Sequence, residues 1–523
     1  MRYRHAPCLV LCAVLLVGCA RPTVTPTLAP SPLPTPAYWP TAGWQTSTPE
    51  EQGMEAQRLA EAVDWLREQD RYRIHSLTVV RHGYLVLDAY FYPFSAGSLH
   101  DVASVTKSLM ATLTGIAVDR GDIPGVDAPM LSFFEGRQVA NRDTRKEAIT
   151  VQNLLHMNAG LLCTADPTEL TLIEMMQQPD WVQYALDLPM ETAPGRNWVY
   201  CSPGVHLLSA LLQQATGQST ADFARQELFD PLGFGQVVWP ADPQGVNLGY
   251  GDVRMTAHDM ARLGYLYLRR GEWDGQQLLP ADWVRAATTA PQGPQPGGGG
   301  YGYLWWLTSD GYAASGRGGQ YIRIVPEDDM VVVMTGGGGN GWDTLETLLT
   351  SYLKPAIKSE GSLPPDAAGV AALQEALERA AGRPPFEPLP TPELPALARE
   401  ISGRVYQLEE NAFNLQALSL RFDQDDEAVI TITNSGFPSG DPLFSWRIGL
   451  DGVERFAPGR LDMLAAAKGS WINDDTFEFW VDEIGNNHRW AFTLRFEDSQ
   501  LSGRWEDATG FFPSSIVLSG WSR

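Results

Sequence analysis

The sequence predicts a mixed α/β body over residues 41–358 and a separate all-β domain over 401–523. Two observations carry this division. From Thr41 to about Lys358, helical and strand-like segments alternate and are separated by many Gly-rich turns. From Ile401 to Arg523 short alternating runs dominate, among them Val429–Thr433, Thr476–Val481 and Trp490–Phe496, as in an antiparallel barrel or sandwich. Between the two parts, residues 359–400 are rich in Pro and Ala, hold one short helix around Ala371–Ala381 and read as a linker.

The chain opens with a targeting pattern. Arg2 and Arg4 precede the apolar run Cys8–Val17, which is too short to be a permanent membrane helix. The run ends in Leu16-Val17-Gly18-Cys19, which resembles the bacterial lipobox; that resemblance makes 1–18 a signal peptide and Cys19 the lipidated first residue of the mature protein. Residues 19–40, with prolines at 22, 26, 30, 32, 34, 36 and 40, read as an extended tether holding the body off the bilayer. The expected location is therefore extracytoplasmic, with the lipid on Cys19 as the membrane anchor. A net charge of −24 argues against nucleic acid and against adhesion to anionic lipid. With Cys8, Cys12 and Cys19 assigned to export, Cys163 and Cys201 remain, and the sequence leaves their pairing open. No Cys/His cluster has metal-ligand spacing, so neither metal nor cofactor is expected.

Within the body, Ile74–Val80 and Tyr84–Tyr90 flank Arg81-His82-Gly83 as a hairpin, and Ile322–Val325 and Met330–Met334 flank Pro326–Asp329 as a second. Between these hairpins lies Ser104-Val105-Thr106-Lys107, followed by Leu109, Met110, Leu113, Ile116 and Ala117 at helical spacing and closed by Gly121. A separation of three residues puts Ser104 and Lys107 on one helix face. A serine hydroxyl needs a base, and a desolvated lysine can be one. The helix N-terminus adds free amides where negative charge develops. About a hundred residues later comes Tyr200-Cys201-Ser202, and about as far again Ser315-Gly316-Arg317-Gly318-Gly319-Gln320-Tyr321 heads the second hairpin.

This order and spacing resemble the serine β-lactamase and penicillin-binding-protein superfamily, nearest its class C branch, family VIII esterases and nylon-oligomer hydrolases. Ile149–Leu161, Met255–Gly264 and Tyr301–Trp306 are similar to further family motifs, and the likeness runs from about Thr48 to Leu353. The resemblance implies an antiparallel sheet with helices on one face plus an all-helical lobe; separately, and by analogy only, the β domain is likened to a small lipocalin-like barrel. It implies Ser104 as acylated nucleophile and Lys107 as base, or as the cation that keeps a nearby phenol ionised. Tyr200 would shuttle the proton, and the backbone amides of Ser104 and Gln320 would form the oxyanion hole. Two departures fall on β-lactam recognition. The family's Lys-Thr-Gly is Arg317-Gly318-Gly319, without a hydroxyl, and the Asn of Tyr-x-Asn is Ser202. Arg317, Gly318, Gly319 and Ser202 are the expected substrate contacts, Arg317 having a purely structural ion pair as its alternative. Trp181 and Tyr184 are expected to line an acyl pocket, whereas Trp305, Trp306 and His156 read as core.

The expected activity is acyl-enzyme hydrolysis of small esters, amides or D-amino-acid peptides, with poor action on β-lactams. The alternative is a non-catalytic penicillin-binding-like lipoprotein that holds cell-wall peptides or a partner protein. Intact Ser104, Lys107 and Tyr200 favour the enzyme, since a binder has no need of all three.

Overall fold

The computed structural model describes residues 36–69, 73–164, 169–290, 300–338, 341–383, 390, 393–411, 414–434, 443–458, 463–485, 488–508 and 515–522. The leader, Cys19 and the tether through Thr35 lie outside the described residues.

Six strands form the sheet of the first body: β1 (Ile74–Arg81), β2 (Tyr84–Tyr90), β3 (Trp306–Thr308), β4 (Gly311–Gly316), β5 (Gln320–Val325) and β6 (Met330–Gly336). Their order is β2-β1-β6-β5-β4-β3, antiparallel throughout. Both expected hairpins are present. His82 and Gly83 take positive φ values of 51° and 87°, the paired left-handed residues that let a two-residue loop follow the strand twist.

Helices cover both faces of this sheet, not one. Along β6, Val331 and Val333 belong to one apolar cluster while Val332 and Met334 belong to another. Because successive side chains point to opposite faces, a strand buried on both sides reads as a continuous apolar run, which Met330–Met334 is. The outer cover is α1 (Ala56–Arg67) with a helix at Ala367–Ala381. The latter is the helix expected inside the linker; Leu373, Ala376 and Ala380 bury it in the same cluster as Leu59, Val63 and Leu66 of α1. That part of 359–400 is thus packed into the first body.

The inner cover holds α2 (Val105–Arg120) and α4 (Ala257–Leu268), with α3 (Ser202–Thr216) packed against α2. Val105 to Ala117 of α2 are all buried, and a helix buried on every side lies in the middle of a body. On its far side, α3 and the short helices Val151–Leu155, Leu170–Met176 and Trp181–Asp187 make the helical lobe. Gly264 of α4 lets helix and sheet approach closely: a Cβ there would lie 2.6 Å from side-chain carbons of Ile322 and Val331.

The C-terminal domain is a closed nine-strand barrel. The strands run in the order Leu443–Gly449, Glu427–Asn434, Leu415–Gln424, Val405–Leu408, Ile516–Ser522, Gln500–Asp507, His488–Glu497, Thr476–Glu483 and Leu464–Trp471, and a parallel bridge from Gly449 to Lys468 closes the ring. Side chains fill its interior, with Phe479 and Phe492 stacked at 4.4 Å beside Trp490 and Trp505. The barrel touches the first body through an Arg73–Asp482 ion pair and through the Gly485 carbonyl, which accepts the Asp101 N–H at 2.7 Å.

Replacing Gly264 by Leu is expected to lower unfolding stability by about 1–3 kcal/mol through overpacking. Urea denaturation checks this, and an unchanged midpoint would mean that α4 does not press on β5 and β6.

Candidate active site

Ser104 caps the N-terminus of α2, directly after Ala103, a non-glycine residue at φ 46°. That turn is held from behind, because the Asp101 carboxylate accepts the Ala103 N–H at 2.7 Å. Left-handed backbone at a non-glycine residue persists only where its surroundings enforce it. Among the described residues, no backbone acceptor takes the Ser104 N–H, which leaves it free to meet an oxyanion.

Lys107 lies one turn along, 2% exposed. Its Nζ donates to Ser104 Oγ at 2.8 Å and to the Tyr250 carbonyl at 2.7 Å. The second acceptor is fixed against α3, since a Cβ on Gly249 would lie 2.4 Å from the Val205 carbonyl oxygen. Burial pulls the lysine down to about 8, against the opposing charges of Glu169 and Asp252. A neutral amine with a free lone pair is therefore accessible near physiological pH.

Tyr200 corrects one expectation. Its hydroxyl is bonded to Ser104, but burial, Glu169 and Tyr301 push the phenol well above its ordinary value. The Lys107 Nζ lies over the Tyr200 ring, 4.7 Å from its centroid. Burial thus favours the neutral phenol over the ionised one.

The β4–β5 turn closes the other wall. Gly318 and Gly319 take φ values of 83° and 96°, so the turn itself demands glycine at both, without appeal to a ligand. Gly316 pairs with Gln320, and a Cβ on Gly316 would lie 2.4 Å from the Val102 carbonyl oxygen, which sets the start of β5 beside the Ser104 turn. Gln320 is fully buried, and its side-chain amide donates to the Gly336 carbonyl. The Arg317 charge lowers the carboxyl of buried Asp101, which burial and Asp252 otherwise raise.

Three further placements differ from the reading of the sequence. Ser202 is buried at the first position of α3 and donates its hydroxyl to the half-buried Glu169 carboxylate. Trp181 is core, with its ring 5.9 Å from His206 and 6.4 Å from Tyr250. The Tyr184 hydroxyl is bonded to Glu174. The aromatic wall beside Tyr200 consists instead of Trp198, Tyr301 and Trp306; Trp306 stacks at 6.4 Å from the Tyr200 ring. Trp305 is indeed core, and His156 is buried against the Gly302 carbonyl and the Tyr303 ring.

Sequence reasoning missed Glu169. No sequence motif surrounds it, yet its charge acts on Lys107, Tyr200, Tyr250 and Tyr301. The available signal was Cys163 six residues earlier. Cys163 and Cys201 form a disulfide, which ties the approach to Glu169 to the residue between Tyr200 and Ser202.

A family model, Beta-lactamase, matches residues 51–341. A penicillin-binding protein 4 from Amycolatopsis lactamdurans is 27% identical over 287 residues, 46% of this chain and 73% of that protein. A 6-aminohexanoate-dimer hydrolase from Paenarthrobacter ureafaciens is 24% identical over 282 residues, 49% of this chain and 70% of the relative. The solved structure of a "putative 6-aminohexanoate-dimer hydrolase" from Bacillus anthracis superimposes with a TM-score of 0.51 at 18% identity, covering 60% of this chain and 86% of that one.

Cutting the disulfide in Cys163→Ser is expected to lower stability by about 3–4 kcal/mol, from the 38-residue separation it spans. Thermal unfolding of the variant beside dithiothreitol-treated wild type measures it, and equal melting of oxidised and reduced protein would contradict it.

Proposed function

Because the chain belongs to the beta-lactamase family, we propose that it is a serine hydrolase that cleaves small esters, amides or D-amino-acid peptides through an acyl-enzyme on Ser104, and acts poorly on β-lactams. The observation that carries this reading is the buried Lys107 amine, 2.8 Å from the Ser104 hydroxyl and lowered to about 8.

In the proposed cycle, neutral Lys107 takes the Ser104 proton as Oγ bonds to the substrate carbonyl carbon. The Ser104 and Gln320 backbone amides receive the oxyanion. As the carbonyl re-forms, the bond to the leaving group breaks and the Tyr200 phenol protonates that group, recovering its proton from the lysine ammonium. Water then adds to the ester by the same proton route in reverse, releasing the acid and free Ser104. Poor β-lactam turnover rests on Gly318, which has no hydroxyl for the drug's carboxylate, and on Ser202, which is engaged by Glu169.

We further take the protein to work outside the cytoplasm, tethered by lipid on Cys19. The Cys163–Cys201 disulfide supports an oxidising compartment. Incorporation of labelled palmitate in a bacterial host, lost in Cys19→Ser, is the expected result; equal labelling of both would remove the anchor.

Mass spectrometry after exposure to a fluorophosphonate probe tests the activity. Labelling should vanish in Ser104→Ala, and Tyr200→Phe should slow p-nitrophenyl ester turnover by about 10²–10⁴-fold. Acylation should rise with pH through about 8, because the active lysine is the unprotonated one. Folded wild type that neither labels nor turns over ester would end the enzyme reading, and rapid nitrocefin cleavage would end the claim about β-lactams.

A further inference from the structure

A cavity of about 840 Å³ lies where the first body meets the barrel. That is within the range of roughly 300–1,000 Å³ that small-molecule sites occupy, and seams between domains are a common place for them. The body lines it with the ends of α1 and of the Ala367–Ala381 helix, the start of β1 and the turn after β2. The barrel lines it with residues 452–454, Phe456, Lys468 and Ile484. Its charge runs against that of the chain, which holds 38 lysines and arginines to 62 aspartates and glutamates. Around the cavity Arg67, Arg73, Arg379, Arg383 and Lys468 outnumber Glu68 and Glu454. Arg73 and Arg379 are held by Asp482 and Asp64, neither of which lines the cavity. Arg383 is exposed and, among the described residues, makes no ion pair. Like charges gathered around one cavity repel, and an anion between them relieves that repulsion. Screening over about 8 Å in physiological salt lets this lining outweigh the distant acids.

The same lining carries rings. Tyr92 of the body and Phe456 of the barrel meet edge to face at 5.7 Å, and Phe94 stacks on His75 at 3.9 Å. A ligand that joins a carboxylate or phosphate to an apolar portion matches both kinds of wall, whereas an inorganic anion matches only the charges. The cavity also borders the approach to Ser104. Ile484 lines it, and the next residue, Gly485, accepts the Asp101 N–H on its carbonyl at 2.7 Å. The Asp101 carboxylate in turn holds the Ala103 N–H. From the body side, the His75 ring lies 5.4 Å from that of His100, the residue before Asp101.

We propose that this cavity binds a soluble organic anion with an apolar portion, and that the bound anion clamps the barrel to the body and steadies the turn before Ser104. Its charge is shared between Arg67 and Arg383 of the body and Lys468 of the barrel, so binding favours the docked arrangement of the two. A net charge of −24 disfavours an anionic bilayer as the source of the ligand, which leaves a soluble one. The site is separate from Ser104, and filling it requires no hydrolysis.

The test titrates the full chain calorimetrically with 1-naphthyl phosphate, and with 1-naphthol and inorganic phosphate as its two halves. The whole probe should bind at least about tenfold more tightly than either half. A triple variant, Arg67→Gln with Arg383→Gln and Lys468→Gln, should weaken it by about tenfold, while melting temperature and fluorophosphonate labelling stay as in wild type. Bound probe should slow hydrogen exchange over residues 99–104 by about fivefold or more in wild type and not in the triple variant. No binding, binding no tighter than that of one half, or binding unchanged in the triple variant overturns the site. Binding that leaves exchange over 99–104 unaltered overturns the clamp. Sedimentation with phosphatidylcholine vesicles containing phosphatidylglycerol, lost in the triple variant, would make the ligand a lipid headgroup and overturn the soluble anion. Titration and exchange need no turnover, so a wild type that binds the probe but takes no fluorophosphonate would end the hydrolase and keep this site.

Discussion

An amine kept out of water 2.8 Å from a serine hydroxyl sets what the rest of this molecule has to supply. The charged form of Lys107 is disfavoured by burial, so the fold must surround it with partners that accept hydrogen bonds from it without re-solvating it. The Tyr250 carbonyl does so from one side and Ser104 from the other. Holding both requires α2 to run through the centre of the body, where its whole circumference from Val105 to Ala117 is buried. It also requires the loop of Tyr250 to be locked on α3 at Gly249. The sheet, the helical lobe and the strained turn at Ala103 are the means by which one buried contact is kept in register.

The same constraint separates what could be read from the sequence from what could not. Hairpins announce themselves because turn chemistry is local, and His82-Gly83 is such a case. Ser104, Lys107 and Tyr200 are legible because helical spacing and family order bring them together. Two helical layers around the sheet are harder to foresee. The continuous burial of Met330–Met334 is visible as an apolar run, but a run does not say what covers each face. The helix at Ala367–Ala381 lies amid Pro- and Ala-rich text, and only its packing on α1 identifies it as core.

The site was misread where side chains meet across loops. Nothing in a Tyr-x-Ser triplet indicates that the serine will turn inward to a glutamate thirty-three residues earlier. The phenol's state depends on that same glutamate and on Tyr301, both distant in sequence. Trp181 was expected at the site because aromatic residues suit pockets, but a large apolar ring buries itself equally well beside His206 and Tyr250. Trp306 read as core, yet it stands next to Tyr200, because the β3 strand that carries it lies at the edge of the sheet.

One contact of the barrel bears on how such a chain can change over generations. The Gly485 carbonyl holds the Asp101 N–H, and the Asp101 carboxylate holds the turn before Ser104. A Cβ at Gly485 would lie 3.1 Å from the Leu99 carbonyl oxygen, so this approach leaves little room for any other residue. The stretch from Leu99 to Ser104 therefore answers to two domains at once. Drift at the barrel's tip would register as altered chemistry in a body that still folds, and a lineage carrying this fusion has to let its halves diverge in step.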